Sequence, residues 1–415
     1  MTKIEALRQY FGHTAFRPAQ ETLIDSLISG RDVLGVMPTG AGKSVCYQIP
    51  AMLIDGVTLV ISPLISLMKD QVAQLKNAGI PGAYINSSLT GAQYREVLRR
   101  AGNGRYKIIY VAPERLETEE FLRFAMETKI ALVAVDEAHC VSQWGQDFRP
   151  SYLNIAGFVE KINDRPVVGA FTATATAEVK NDMERLLGLR DPLKLTTGFD
   201  RPNLSFQVLR PKYKPAYFRE LIAHRARIAR QCGVVYCATR KMVDTILTEL
   251  RQQGLDAARY HAGMEDDERR QSQDDFISDR IAVLVATNAF GMGIDKPNVR
   301  FVIHYNMPKN IESYYQEAGR AGRDGNPSDC LLLYSSDDIK IAEHFIQNSD
   351  RNDELTEKER RMLYRRDMDR LDKMIGYCET GSCLRSYLLR YFGEKHKGKC
   401  GNCSNCGAGH SGRQS

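Results

Sequence analysis

Apolar residues along this chain gather in short runs, separated by longer stretches in which they recur every three or four positions. Val33–Val36, Thr58–Ser62, Ala83–Asn86, Lys107–Ala112, Ala131–Asp136 and Val167–Thr172 are runs of the first kind. They read as strands buried on both faces, and the stretches between them as helices. Strand–helix alternation predicts an α/β fold, a parallel sheet with helices on both sides and ligands at the carboxyl ends of its strands. The pattern breaks at Gly198-Phe199-Asp200-Arg201-Pro202-Asn203 and then resumes with Val234–Cys237, Ala257–His261, Ile281–Ala286, Arg300–Tyr305 and Cys330–Tyr334. Two lobes are therefore predicted, over 1–198 and 199–345, followed by a helical segment at 346–407 and a disordered tail at 408–415. Further helices are expected over 8–28, from Val45, over Ala177–Leu187, around Gln316 and from 351 to 375.

Composition changes this picture little. The chain has 415 residues, 43% hydrophobic and 26% charged, which is ordinary for a globular protein. It has no run of the ~20 apolar residues that a bilayer span needs, and no secretory leader follows Met1, so a cytoplasmic protein without membrane partners is expected. Charge is uneven. Of the net +6, the last 65 positions supply +5, from 14 Lys+Arg against 9 Asp+Glu. A basic end suits a polyanion, although a solvated helix surface accounts for such a run equally well. Six of the ten cysteines are scattered (46, 140, 232, 237, 330, 378), as in a reducing compartment.

The candidate chemistry falls at predicted strand ends. After Val33–Val36 come Met37-Pro38-Thr39-Gly40-Ala41-Gly42-Lys43-Ser44 and a helix start. A glycine-rich turn there aims backbone N–H groups and the positive helix end at a phosphate. Lys43 would reach the outer phosphates, and Ser44 would complete a magnesium shell. Met37 departs from the pattern, which would want glycine. About twenty residues upstream, Arg17 and Gln20 could stack on and read an adenine, a surface glutamine being the plainer alternative. Val133-Ala134-Val135-Asp136-Glu137-Ala138-His139 places Asp136 to bind magnesium and Glu137 to orient or deprotonate water, an acidic helix cap being the alternative. Thr172–Thr176 could link the nucleotide site to nucleic acid, or cap the next helix. In Gln316–Gly325, Arg320 and Arg323 are three apart on one side of an expected helix turn, suiting arginine fingers or a salt-bridged helix.

Four cysteines are not scattered: Cys383, Cys400, Cys403 and Cys406. Interlocked Cys-x-x-Cys steps with one cysteine upstream suit a tetrahedral zinc site, for which Cys378 is a rival fourth ligand.

Taken together, these residues resemble a RecQ-type DNA helicase of helicase superfamily 2, from about Phe11 to Cys406. The stretches that carry the resemblance are Phe16–Gln20, Pro38–Ser44, Ser62–Met68, Ala112–Leu116, Asp136–His139, Ser142–Arg149, Thr172–Thr176, Gly291–Pro297, Gln316–Gly325 and the cysteine cluster. The resemblance implies two RecA-like parallel-sheet lobes followed by a small helical zinc-binding subdomain. It implies ATP-driven 3′-to-5′ translocation on single-stranded DNA with duplex unwinding, in recombination, repair or replication, using ATP, Mg²⁺ and Zn²⁺. Arg17 and Gln20 match adenine-recognition positions, and His13 stands where some members stack a tyrosine. Thr39, Gly40, Gly42, Lys43 and Ser44 match the phosphate and magnesium site. Asp136, Glu137 and His139 match the acidic box. Gln316, Arg320 and Arg323 match the segment that carries the interlobe arginines, Arg323 being the preferred finger. Cys383, Cys400, Cys403 and Cys406 match the zinc ligands, which sets Cys378 aside. Trp144, Phe148 and Arg149 fall in the aromatic-rich loop, where rings would stack on bases and the guanidinium would meet phosphate. Members often carry histidine at Gln146.

Expected partners are single-stranded DNA, tailed or branched duplexes and a single-strand-binding protein, with the chain a monomer in the cytoplasm, nucleoid-associated in a bacterium. Many members continue past the zinc site into a winged-helix domain. The expectation for this chain is accordingly strong ATPase on single strands and weak, short-range unwinding.

Overall fold

The structure, a computed structural model, describes residues 1–145, 147–291, 296–349, 356–396 and 398–407. Gln146, four residues of the Gly291–Pro297 stretch, the start of the charged segment expected from 351 and the tail expected to be disordered at 408–415 lie outside the described residues. The chain divides into two units, Met1–Gly198 and Phe199–Ser415.

The first unit is built on a sheet of seven strands: β1 (Val33–Val36), β2 (Val57–Ile61), β3 (Gly82–Ile85), β4 (Ile108–Val111), β5 (Ile130–Val135), β6 (Val167–Thr172) and β7 (Leu193–Thr196). Their order is β3-β4-β2-β5-β6-β1-β7, and every pairing is parallel. Central strands such as Val-Leu-Gly-Val of β1 and Ile-Ile-Tyr-Val of β4 are buried throughout, which is why they read as unbroken apolar runs. In contrast, β7 was not expected. At the sheet edge it buries only alternate residues, and Leu-Lys-Leu-Thr is too short and too polar to stand out.

The helix expected over 8–28 is instead two helices, α1 (Lys3–Phe11) and α2 (Gln20–Ile28). A Thr2–Glu5 capping box starts α1, and Gly12, at φ 69°, ends it in the left-handed region. Pro18 then keeps the chain from turning helical until Gln20. The third helix, α3 (Lys43–Leu53), springs from the carboxyl end of β1. Its buried residues join the main core with Leu23, Leu27, Val60, Tyr110 and Phe171.

The second unit holds β8 (Leu204–Leu209), β9 (Gly233–Tyr236), β10 (Ala257–Tyr260), β11 (Val283–Ala286), β12 (Phe301–His304) and β13 (Ser328–Leu333), ordered β10-β11-β9-β12-β13-β8 and again all parallel. The unexpected strand here is β8, which begins directly after Asn203. Helices Ser336–Ser349, Glu357–Glu379 and Leu384–Tyr391 follow the last strand. Aromatic rings fasten them to the rest of the unit. Phe392 stacks on Phe199 with centroids 4.6 Å apart, and Tyr377 lies 5.1 Å from Tyr314. A single parallel bridge joins Cys403 to Phe206 of β8.

Candidate functional site

Strand order decides which loops meet. Because β5, β6 and β1 are neighbours, the segments leaving their carboxyl ends lie side by side: Asp136–His139, Thr172–Thr176 and Met37–Ser44. The amide of Met37 donates to Thr172 O at 2.9 Å, tying the last of these loops to β6. Met37 itself is fully buried in the core, with Cys46 Sγ 3.7 Å from its sulfur. The departure from glycine therefore falls on a packing position, behind the loop.

The loop turns into α3 through Gly42, at φ 79°. A side chain there would be strained, and its Cβ would collide with the Gln20 amide. That amide donates to Ala41 O (3.2 Å) and Gly42 O (3.0 Å), and its oxygen accepts from Arg17 N (2.8 Å). The Arg17 guanidinium donates to Gly40 O. Arg17 and Gln20 are thus brought onto the glycine loop, Gln20 being buried. His13 is not; it stands exposed in the turn after α1. Thr39, Gly40, Lys43 and Ser44 are half-buried along the turn and first helical residues.

The acidic pair is almost wholly enclosed. Burial, then the charge of Glu137, raise the Asp136 carboxyl to about 7 against the opposing pull of Lys43. Asp136 Oδ1 accepts from Glu137 N at 3.0 Å. Glu137 adopts φ 46° and ψ 46°, a left-handed conformation that costs a non-glycine residue ~1–2 kcal/mol. Strain of this kind gathers where a side chain must be aimed. Glu137 Oε2 is buried without a hydrogen-bond partner among the described residues, 3.4 Å from His139 Nδ1. His139 Nδ1 is hydrogen-bonded to Thr172 Oγ1 at 2.7 Å, and that hydroxyl also lies 3.2 Å from Thr174 O. Tyr152 fixes the far side, donating to Asp136 O at 3.0 Å. An unpartnered buried carboxylate oxygen, a neighbouring acid and a lysine at a helix start form a donor set that fits a hydrated magnesium ion beside phosphates.

The aromatic loop follows directly. Trp144 is 52% exposed, which excludes a core tryptophan. Its amide donates to Ser142 Oγ (3.1 Å), and Ser142 donates to Asp182 (2.7 Å). Arg149 donates to Pro63 O (2.7 Å) and pairs with Asp147, while Phe148 is half-buried. A surface ring thus stands on a fixed turn that continues the acidic segment.

In the second unit the arginines fall differently from expectation. The helix Ile311–Ala318 ends before them, and residues 319–324 form successive turns, so Arg320 and Arg323 do not share a helix face. Gly319 closes the helix, and Gly322, at φ 54°, reverses the chain. Arg320 is buried and donates to Gly291 O, whereas Arg323 is half-buried. Gln316, on the helix, is half-buried as well.

The sulfurs of Cys383, Cys400, Cys403 and Cys406 lie within 4.8 Å of one another, Cys383 to Cys403 at 4.0 Å. A tetrahedron with Zn–S bonds of ~2.3 Å has edges of ~3.8 Å, so the cluster fits zinc. Burial opposes ionisation of Cys383, but the Ser386 hydroxyl and amide and hydrogen bonding with Cys400 bring its thiol down to about 6. Cys378 is outside the cluster, buried on the helix Glu357–Glu379, its thiol pushed up by burial.

Sequence reasoning missed Tyr152, Asp182, Arg201, Asn203 and Arg385, whose roles at the site come from partners distant in sequence.

Three family profiles match: DEAD/DEAH box helicase over residues 17–182, helicase conserved C-terminal domain over 213–325, and RecQ zinc-binding over 336–407. The ATP-dependent DNA helicase RecQ of Bacillus subtilis is 46% identical over 401 residues, 96% of this chain and 66% of that protein. A protein of Acanthamoeba polyphaga mimivirus, provisionally described as an ATP-dependent RNA helicase, is 40% identical over 404 residues, 96% of this chain and 71% of that one. Among solved structures, the DEAD-box helicase Mss116p bound to single-stranded RNA and AMP-PNP aligns with TM-score 0.68 at 17% identity, over 94% of this chain and 89% of that one. The chain spans 62–66% of the length of three bacterial relatives named as RecQ helicases. No helix among the described residues is long and apolar enough to cross a membrane.

Proposed function

Because this chain belongs to the RecQ family of ATP-dependent helicases, we propose that it hydrolyses ATP to move 3′-to-5′ along single-stranded DNA and part the strands of tailed or branched duplexes. The observation that carries this is the Glu137 carboxylate, strained, buried and with Oε2 unpartnered, beside Asp136 and a glycine loop. Gln20 and Arg17, already on the loop, would take the adenine edge. The amides of Thr39–Gly42 and the Lys43 ammonium would hold the phosphates. Ser44 and Asp136 would hold magnesium, which when bound neutralises charge on the phosphate oxygens. Glu137 would draw a proton from the attacking water. His139, hydrogen-bonded to Thr172, would tie Glu137 to the Thr172–Thr174 turn. The same segment runs on to Trp144, Phe148 and Arg149, which would meet a DNA base and phosphate and so report strand occupancy. Arg320 and Arg323, with Gln316 before them, would act on the γ-phosphate as finger and sensor. Zinc at Cys383, Cys400, Cys403 and Cys406 would be structural, all four positions being filled by protein.

The wider reading is a monomeric, nucleoid-associated cytoplasmic enzyme of recombination, repair or replication, working with a single-strand-binding protein.

The mimivirus relative makes RNA the reading to exclude. ATP turnover should be measured with single-stranded DNA and with RNA, beside displacement from duplexes bearing a 3′ or a 5′ tail. DNA stimulation and displacement from the 3′ tail are expected. Stronger stimulation by RNA, or displacement from the 5′ tail alone, would overturn this reading.

A further inference from the structure

The turn that carries Arg320 and Arg323 is not self-supporting. Its carbonyls are gripped by residues more than a hundred positions earlier. Arg201 donates to Gly319 O (3.3 Å), Ala321 O (3.0 Å) and Gly322 O (2.8 Å), bracketing Arg320 on both sides. Asn203 Nδ2 adds bonds to Gly322 O (2.8 Å) and Asn326 O (3.0 Å), and Arg201 Nε reaches Asn203 Oδ1 at 3.4 Å. The fit is close. A Cβ on Gly322 would stand 2.5 Å from Asn203 Nδ2 and 2.7 Å from Asn326 O. A planar guanidinium with five fixed donors can serve three carbonyls at once, where an ammonium on a flexible stem cannot fix their relative positions.

The strap that bears Arg201 and Asn203 is in turn held from the cysteine module by two arms. Arg385, the second residue of the helix that Cys383 caps, is 3% exposed; it donates to Asp200 Oδ1 (2.5 Å), Arg201 O (2.7 Å) and Leu204 O, its guanidinium 5.4 Å from the Phe206 ring centroid. Asn402, between Cys400 and Cys403, donates to Pro202 O (3.2 Å) and Leu204 O (3.1 Å). Every contact in this relay lies within the second unit. Nothing in the sequence pairs these positions.

We propose that Arg201 and Asn203 are positioning residues for Arg320 and Arg323, and that the cysteine module, through Arg385 and Asn402, holds them in register. The module would then act on ATP hydrolysis at a distance as well as on stability. This rests on the reading that the arginine turn serves hydrolysis. An error of about 1 Å in placing a catalytic group can cost ~10²-fold in rate, so a loosened turn should be seen in kcat.

The test is steady-state ATPase, with saturating single-stranded DNA, on Arg201→Ala, Asn203→Ala, Asn402→Ala, Arg323→Ala and the double variant Arg201→Ala/Arg323→Ala. Zinc content and melting temperature are read for each. Arg201→Ala should lower kcat about tenfold or more with KM for ATP nearly unchanged, because the glycine loop is untouched. Asn203→Ala, at a half-buried side chain, should do the same to a smaller degree and carries the test if Arg201→Ala is insoluble. Asn402→Ala should lower kcat while one zinc per chain is retained. If Arg201 acts through the arginine turn, the two losses should fall short of multiplying in the double variant, because part of the Arg201→Ala effect runs through Arg323 itself. Losses that multiply, or full kcat in Arg201→Ala and Asn203→Ala beside a slow Arg323→Ala, would overturn the positioning role. Full kcat in Asn402→Ala would overturn the module's part in it. Full turnover in Arg323→Ala itself would remove the function assigned to the turn, and the relay with it.

Discussion

The first sheet runs β3-β4-β2-β5-β6-β1 before its extra edge strand, and the second runs β10-β11-β9-β12-β13-β8, the same order with β8 in the place of β1 and β12 in the place of β5. What leaves the equivalent strand ends differs. After β1 comes a glycine loop with two carbonyls bound by Gln20; after β8 comes Arg210-Pro211-Lys212, a helix at Lys214–Ile222, and a Lys214 ammonium paired with Asp338 at 2.9 Å. After β5 come two enclosed carboxylates, one with an unpartnered oxygen. After β12 comes Asn306, whose amide is satisfied at both ends, accepting from Ala238 N (3.1 Å) and donating to Asp338 (2.9 Å). One scaffold therefore carries a strained acid in one copy and a relaxed amide in the other. Chemistry resides in strand-end residues, and the fold supplies only their positions.

The sharpest way to break this comparison is at the acid itself. Glu137→Gln should leave ATP affinity nearly intact and lower turnover by ~10² or more, the scale of a lost general base. Asn306→Ala, at the equivalent end of the second sheet, should bind ATP normally and keep turnover within about threefold. Near-normal turnover in Glu137→Gln, by a phosphate-release assay, would show that the strain at residue 137 has no catalytic purpose. The next largest effect concerns what holds the second unit. Cys403 bridges to β8, so losing a zinc ligand there should unfasten an edge strand. One zinc per chain is expected, and Cys403→Ala should lower the melting temperature or soluble yield. Stable, monodisperse protein without zinc, by metal analysis and melting, would refute a structural role.

How much of this was readable in advance follows the same physics. Strands buried on both faces announced themselves, and eleven of the expected runs are strands within a residue or two of their expected ends. The two edge strands did not. In β7 only Leu193 and Leu195 face inward, and β8 spaces Leu204 and Phe206 with Ser205 and Gln207, a short period-two pattern that follows directly on the break at 198–203 and does not stand out from it. Residues adjacent in sequence to a strand end, such as Asp136 and Lys43, could be placed by motif alone. Arg201, Asn203 and Arg385 could not, because their partners lie 118 to 185 positions away and nothing local marks an arginine that will bind carbonyls. The Arg320–Arg323 spacing misled because three residues make one face only if the helix continues, and Gly319 and Gly322 stop it.

A smaller effect is expected at the aromatic loop. Trp144→Ala should reduce DNA-stimulated ATPase about tenfold while DNA affinity falls by less, since one stacked base contributes only ~1–3 kcal/mol and phosphate contacts elsewhere persist. Titration of a labelled single strand beside ATPase separates the two. Equal losses would make the loop a binding element, with no link through Ser142 to the acidic segment.

The smallest effect is also the one that tests most directly whether the first lobe's acids are strained. Asp136 has its carboxyl raised to about 7 in the folded chain, chiefly by burial and then by Glu137, whereas an unfolded aspartate titrates near ~3.9. The native state therefore holds a proton that the unfolded state gives up across that interval, and stability from this group is present below about pH 4 and lost as pH rises to about 7. Asp136→Asn removes the titrating group while keeping its size and its hydrogen bond from Glu137 N. Without nucleotide, the variant should be more stable than the parent at pH 8 by ~1 kcal/mol or more, the gap closing toward pH 4, though ATPase should be lost. Denaturant unfolding at pH 4.5, 6 and 8 reads this directly. A variant less stable than the parent at pH 8 would mean that Lys43 and the neighbouring dipoles fully offset the burial of the charge, and that the first lobe holds its acids at no cost to the fold.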